Sequence, residues 1–136
     1  MTLTIAYSSS LEQLDRLDLS GFLAHWDFEP PTGALFKILR GSDEVVLARD
    51  VESSIICGYI TALSDRIACA YISGLEVRPE YRGNGIGTNL LNRMVGKLDV
   101  FGIYLSCAPA LVSFYEAAGF KPGVSMSKRK PGLRSP

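Results

Sequence analysis

A chain of 136 residues, 47% hydrophobic and 21% charged, suits one globular domain with a real core and is too apolar for a disordered one. Its 14 basic and 14 acidic residues cancel, so no overall field draws in a polyanion and nucleic acid is not an expected partner. No apolar run approaches the roughly 18 residues that cross a bilayer, Met1–Ile5 lacks the charged start of a signal peptide, and Cys57, Cys69 and Cys107 form no CxxC pair. The expectation is a cytoplasmic protein with reduced, buried thiols, without metal or membrane contact.

Thr2–Tyr7 reads as a short strand. Ser9-x-x-Glu12 can form a capping box for a helix carrying Leu11, Leu14 and Leu17. Gly21–Pro31 is irregular and aromatic, and its closing prolines resist helix. Thr32 can cap a second helix that places Leu35, Phe36 and Leu39 on one face before Gly41-Ser42 stops it. Three β-rich runs follow, at 44–49, 54–63 and 67–77. Connections as short as Ser64-Asp65-Arg66 imply an antiparallel meander. Pro79 ends the third run, because proline cannot donate to a ladder.

Ile86, Leu90, Leu91, Met94, Val95 and Leu98 recur at helical spacing, with Asn89, Asn92, Arg93 and Lys97 opposite. A strand over 102–107 leads to Pro109, which a helix tolerates in its first turn. Leu111, Val112, Phe114, Tyr115 and Ala118 suit a last helix ending at Gly119. A further strand is predicted near Met126. The order β-α-α-β-β-β-α-β-α-β is an α+β sheet with helices on its faces, in one domain over 1–130 with a flexible tail over 131–136.

The segment most informative about chemistry is Arg82-Gly83-Asn84-Gly85-Ile86-Gly87-Thr88, after a predicted strand and opening a predicted helix. Glycines there let main-chain N–H groups turn inward, and the helix start adds unpaired donors and partial positive charge, so the segment can cradle a phosphate. A dinucleotide GxGxxG fails, since glycine would be needed at Thr88 or Leu90. A P-loop fails for want of Gly-Lys-Ser/Thr. Arg82-x-x-Gly85-x-Gly87 does fit.

That pattern resembles the Gln/Arg-x-x-Gly-x-Gly/Ala signature of the GNAT acetyltransferase superfamily. Phe114-Tyr115-Glu116-Ala117-Ala118-Gly119-Phe120 is similar to the superfamily's second acyl-CoA segment. The resemblance spans most of the chain. It implies a mixed, mostly antiparallel sheet of about six to seven strands with about four helices, and acetyl-CoA as cosubstrate. It also implies that the N–H groups of Arg82, Gly83, Asn84, Gly85, Ile86, Gly87 and Thr88 hold the pyrophosphate. Leu75 to Val77 would pair with the pantetheine arm, the Val77 N–H facing the thioester oxygen, and Tyr115 would protonate the departing thiolate. The implied activity is direct N-acyl transfer to an amine of a small molecule or peptide, by a monomer or homodimer. The alternative is a noncatalytic acyl-CoA sensor on the same fold. Many relatives carry asparagine seven residues before the tyrosine, where this chain has Ala108.

A base must keep the amine neutral. Glu76 is the nearest carboxylate in sequence, and Tyr71 stands where some relatives carry glutamate. Strict alternation sets Glu76 and Val77 on opposite faces unless a bulge intervenes. His25, the single histidine, lies with Trp26 and Asp27 where the acceptor cleft is expected, and packing or solvation is its ordinary explanation. Cys107 lacks a nearby histidine that would make it a nucleophile, and the basic run from Lys128 to Arg134 reads as a frayed terminus.

Overall fold

The computed structural model describes residues 2–14, 19–26 and 29–130. Among these residues, five strands lie side by side in chain order: β1 (Ile5–Ser8), β2 (Glu44–Asp50), β3 (Ile56–Ser64), β4 (Cys69–Val77) and β5 (Gly102–Tyr104). The first four pair antiparallel and β5 joins β4 in parallel. This is the α+β architecture expected, with the meander where short polar connections predicted it. The β3–β4 turn is closed by Asp65, whose carboxylate accepts the N–H groups of Ile67, Ala68 and Cys69 at 2.8–3.1 Å.

Alternation along the strands divides the core in two. Val46, Ala48, Ile60, Ala70 and Ile72 point to one face, where helix α2 (Ile86–Lys97) covers them with Ile86, Leu90, Leu91 and Met94. Helix α3 (Val112–Glu116) adds Tyr115 on that side. Val45, Leu47, Ile56 and Tyr59 point the other way, against Leu35 and Leu39 of helix α1 (Ala34–Gly41) and against Leu19, Phe22 and Leu23. Gly58 allows α2 to sit close: a β-carbon there would lie 2.9 Å from the Glu76 carbonyl oxygen and 3.1 Å from Leu90 Cδ1.

Several boundaries correct the sequence reading. Among the described residues there are five strands and three α-helices, rather than six to seven strands and four helices. The capping box does not form. The Ser8 and Ser10 hydroxyls instead accept the N–H groups of Ser10 and Glu12, and Gln13 turns the chain with φ of 63°. Leu17 lies outside the described residues. Gly33, in the left-handed region, stands at the start of α1 where Thr32 was expected. The strand from 102 stops at Tyr104. No strand forms near Met126, where Val124 and Met126 are 98% and 95% exposed after the Pro122-Gly123 break. Only Cys57 is a buried thiol; Cys69 and Cys107 are exposed. No helix is long and apolar enough to cross a membrane among the described residues.

Candidate active site

The chain leaves β4 at Val77, makes a 3-10 turn over Pro79–Tyr81, and enters α2 through Gly83 and Gly85 with φ of 81° and 76°. Side chains other than glycine resist that left-handed conformation. No side chain caps the N-terminus of α2 and no acidic residue lies in its first turn, so the end of the helix keeps its free donors and positive potential. The loop is braced from outside. Asn84 Nδ2 donates to the carbonyls of Tyr81 and Arg82 at 2.9 and 3.3 Å, Asn89 Nδ2 to Gly85 at 3.0 Å, and Arg82 Nε to Val77 at 3.1 Å.

β4 has a free edge beside this cradle. β5 follows β4 only from Cys69 to Tyr71, opposite Gly102 to Tyr104. The Arg78 N–H donates to the Cys57 carbonyl, and hydrogen-bonded pairs alternate along an antiparallel ladder. The main-chain groups of Glu76 therefore turn toward β3, and those of Leu75 and Val77 turn toward the open edge. A bulge exists on β4, since Thr61 opposes Gly74 while Ala62 opposes Ile72, which leaves Ser73 extra. It precedes both Glu76 and Val77, so these two remain on opposite faces. Val77 packs toward α2, and Glu76 toward Tyr59.

A cavity of about 690 Å³ runs around this edge. Leu75, Glu76 and Val77 line it from the strand, and Arg82, Gly83, Gly85, Ile86, Gly87 and Thr88 from the cradle. Phe114 and Tyr115 face them across it, and His25 stands at its far side. Every residue expected to meet the cofactor is present except Asn84, whose side chain holds the turn instead. Tyr115 is wedged edge-on between Phe114 and Phe120, with ring centroids 4.9 and 5.9 Å away. Gly119, with φ of 94°, ends the helix and lets the Phe120 N–H reach the Tyr115 carbonyl. Burial, with a smaller push from Cys107, raises the Tyr115 pKa, so its phenol stays protonated through the neutral range.

Glu76 is the centre of a network that its sequence neighbours do not reveal. Its Oε2 accepts the Tyr59 hydroxyl at 2.6 Å, and both carboxylate oxygens lie within 3.3 Å of the Leu23 N–H. Its Oε1 is 3.5 Å from His25 Nδ1. Burial, then the hydrogen bond to Glu76, pushes the Tyr59 phenol far up, so Tyr59 is a permanent donor here. Gly74 leaves room for it, since a β-carbon there would lie 3.3 Å from Tyr59 Cε1. Arg78 pins the neighbouring segment. Its Nη1 donates to the Ser20 carbonyl at 2.6 Å, its Nε to Ile56 at 2.7 Å, and its guanidinium stacks 4.3 Å from the Phe22 ring centroid.

The acetyltransferase (GNAT) family model matches residues 10–120. The chain belongs to the GNAT acetyltransferase family. A solved structure from Deinococcus radiodurans R1, described as a candidate acetyltransferase, is 35% identical, with a TM-score of 0.86 over 93% of this chain and 88% of that one. A candidate GNAT acetyltransferase from Xanthomonas campestris pv. campestris is 20% identical, with a TM-score of 0.79 over 98% of both chains. The glucosamine-6-phosphate N-acetyltransferase of Arabidopsis thaliana, 17% identical, shares the fold with a TM-score of 0.66 over 93% of this chain and 98% of that one. GNAT proteins generally use acetyl-CoA and an acceptor.

Other candidates lie elsewhere on this GNAT domain. Tyr71 and Cys107 line a separate cavity of about 350 Å³ with Tyr104 and Phe120, and Tyr115 forms the wall between the two cavities. Tyr71 is thus apart from Glu76 and beside the parallel β4–β5 pair. Asp27 lies outside the described residues, and Trp26 packs against the α1 side of the core. Tyr59 was missed by sequence reasoning because it is 17 residues from Glu76. The only signal for it is strand register, which sets the two residues directly opposite each other.

Proposed function

We propose that this GNAT protein is an N-acyltransferase that moves an acyl group, acetyl in the simplest case, from acyl-CoA to a primary amine of a small molecule or peptide. One observation carries the reading. The open main-chain edge of Leu75–Val77, the uncapped glycine cradle and the Tyr115 phenol border a single cavity. A pyrophosphate fits the cradle by charge, since nothing acidic guards the start of α2 and no β-carbon occupies Gly83, Gly85 or Gly87. A pantetheine arm, with its two amides, fits the free edge as an added strand. The Val77 N–H then faces the thioester oxygen and stabilises charge developing there.

No covalent intermediate on the protein is required. Holding amine and thioester together replaces a bimolecular encounter with an oriented one, which accounts for a large part of such accelerations. Tyr115 supplies the proton that the sulfur takes as it leaves.

The deciding experiment is calorimetric titration with acetyl-CoA, CoA and NAD, followed by thiol release from acetyl-CoA over a panel of amines. The expected result is acetyl-CoA and CoA binding without an NAD response, and amine-dependent thiol release. Binding without turnover over a broad panel would favour the acyl-CoA sensor. Absence of binding by folded protein would overturn both.

A further inference from the structure

We infer that His25 is the base that takes the proton from the acceptor amine, and that Glu76 positions it rather than acting as the base. This rests on the acyl-transfer reading above and assigns the acceptor side of the same cavity.

Glu76 is poorly placed to receive a proton itself. Its carboxylate already accepts the Tyr59 hydroxyl and the Leu23 N–H, so its oxygens are largely engaged by donors of the protein itself. What remains is an oxygen 3.5 Å from His25 Nδ1. An acceptor oxygen beside Nδ1 favours the proton on that nitrogen, which leaves the Nε2 lone pair free. The His25 side chain is 65% exposed and borders the same cavity as Leu75, Val77 and Tyr115, whereas that of Glu76 is 17% exposed. Both residues line the cavity, and the histidine offers an incoming amine the more open side chain of the two.

The backbone holds this arrangement at a cost. Leu23 is a buried leucine with φ of 66°, a left-handed conformation that is strained for a residue with a β-carbon. Its N–H is the one clasped by Glu76, and its carbonyl accepts the Trp26 N–H at 3.2 Å. The left-handed residue folds 23–26 back over the carboxylate and sets His25 beside it. Strain of this kind points to a built site rather than a surface accident.

The two faces of β4 give the chemistry its direction. His25 and Glu76 sit on the α1 face and Tyr115 on the α2 face, so base and proton donor flank the free edge from opposite sides. The amine nitrogen uses its lone pair to form the new N–C bond and gives a proton to His25 Nε2. The C–S bond breaks, its electron pair goes to sulfur, and sulfur takes the Tyr115 proton. Transfer of the His25 proton through solvent back to Tyr115 restores both groups, and the products are one amide and one thiol.

The test compares parent, His25→Gln and Glu76→Gln. For His25→Gln we expect acetyl-CoA affinity within about twofold of parent and turnover about 10²-fold lower, with partial recovery in added imidazole. Parent-like turnover in His25→Gln, with binding intact, would overturn the assignment and leave the acyl-transfer reading standing. Absent acetyl-CoA binding or turnover in the parent would instead remove that reading, and this assignment with it. Glu76→Gln is read spectroscopically as well. His25 is the only histidine, so its imidazole nitrogen resonances are unambiguous and report its tautomer. The parent should favour the proton on Nδ1 and the variant should lose that preference. An unchanged tautomer in folded Glu76→Gln would overturn the positioning role.

Discussion

The Tyr81 hydroxyl donates to Asp50 Oδ2 at 2.6 Å, which ties the 3-10 turn ahead of the glycine cradle to the end of β2. The Tyr81 hydroxyl is also 3.4 Å from Ser53 Oγ. A buried carboxylate is thereby satisfied, and a loop bordering the cavity is fixed to the sheet. Hydrogen bonds, that of Tyr81 foremost, hold the Asp50 carboxyl below its ordinary pKa. A lowered folded-state pKa means that this stability is present above the unfolded value of about 3.9 and is lost as pH falls through the folded value. The Tm gap between parent and Asp50→Asn should therefore be full at neutral pH and close on acidification below about pH 4. A gap independent of pH would refute it. Tyr81→Phe should also weaken acetyl-CoA binding several-fold by loosening the cradle, as calorimetry would show.

Tyr115→Phe keeps the edge-on ring contacts and removes only the hydroxyl. Turnover should fall about 10²-fold, the usual size of a proton-donor contribution, with acetyl-CoA affinity within about twofold. Because burial raises the Tyr115 pKa, the phenol-dependent rate should persist through neutral pH and fade only above about pH 10. Equal turnover in parent and variant would exclude Tyr115 as the donor.

Two substitutions at Gly85 separate folding from binding. Its φ of 76° makes any β-carbon there cost about 1–2 kcal/mol. Gly85→Ala should lower stability by that amount in chemical denaturation. Gly85→Asp carries the same strain, but a carboxylate at a helix start returns about 0.5–2 kcal/mol. It should fold nearly as well as the parent and still lose CoA binding, since its charge repels the pyrophosphate. Unchanged affinity in Gly85→Asp would sink the cradle assignment.

Gly58→Ala tests how closely α2 packs on the sheet. The added carbon would meet the Glu76 carbonyl oxygen at 2.9 Å and Leu90 Cδ1 at 3.1 Å, and backbone on one side cannot yield cheaply. Overpacking of this kind costs about 1–3 kcal/mol. Denaturant unfolding should show a loss in that range. No loss would mean that α2 shifts freely, against its four buried side chains.

Local sequence determined a good deal. The cradle was legible because glycine spacing, a strand before it and an apolar period after it are all features within one short stretch. The meander was legible because its connections are too short for anything else. Tyr115 could be placed because Gly119 and Pro109 bracket its helix. Where local signals competed, they misled. Ser9-x-x-Glu12 satisfies a capping pattern, yet the Ser8 and Ser10 hydroxyls close tight turns instead. The Met126 segment alternates like a strand but finds no partner.

Tertiary structure alone decided the surroundings of Glu76. The clasp of Glu76 by Tyr59 and Leu23 spans 17 and 53 residues of chain, and it depends on strand register and on a leucine forced left-handed. Neither leaves a local trace, because register is set by which side chains the whole sheet buries and strain is tolerated only where surrounding contacts hold it. The free edge of β4 likewise exists because β5 ends at Tyr104, two strands meeting and parting in space. Composition and spacing chose the fold and the glycine loop; long-range packing placed a histidine and a tyrosine on opposite sides of one strand edge.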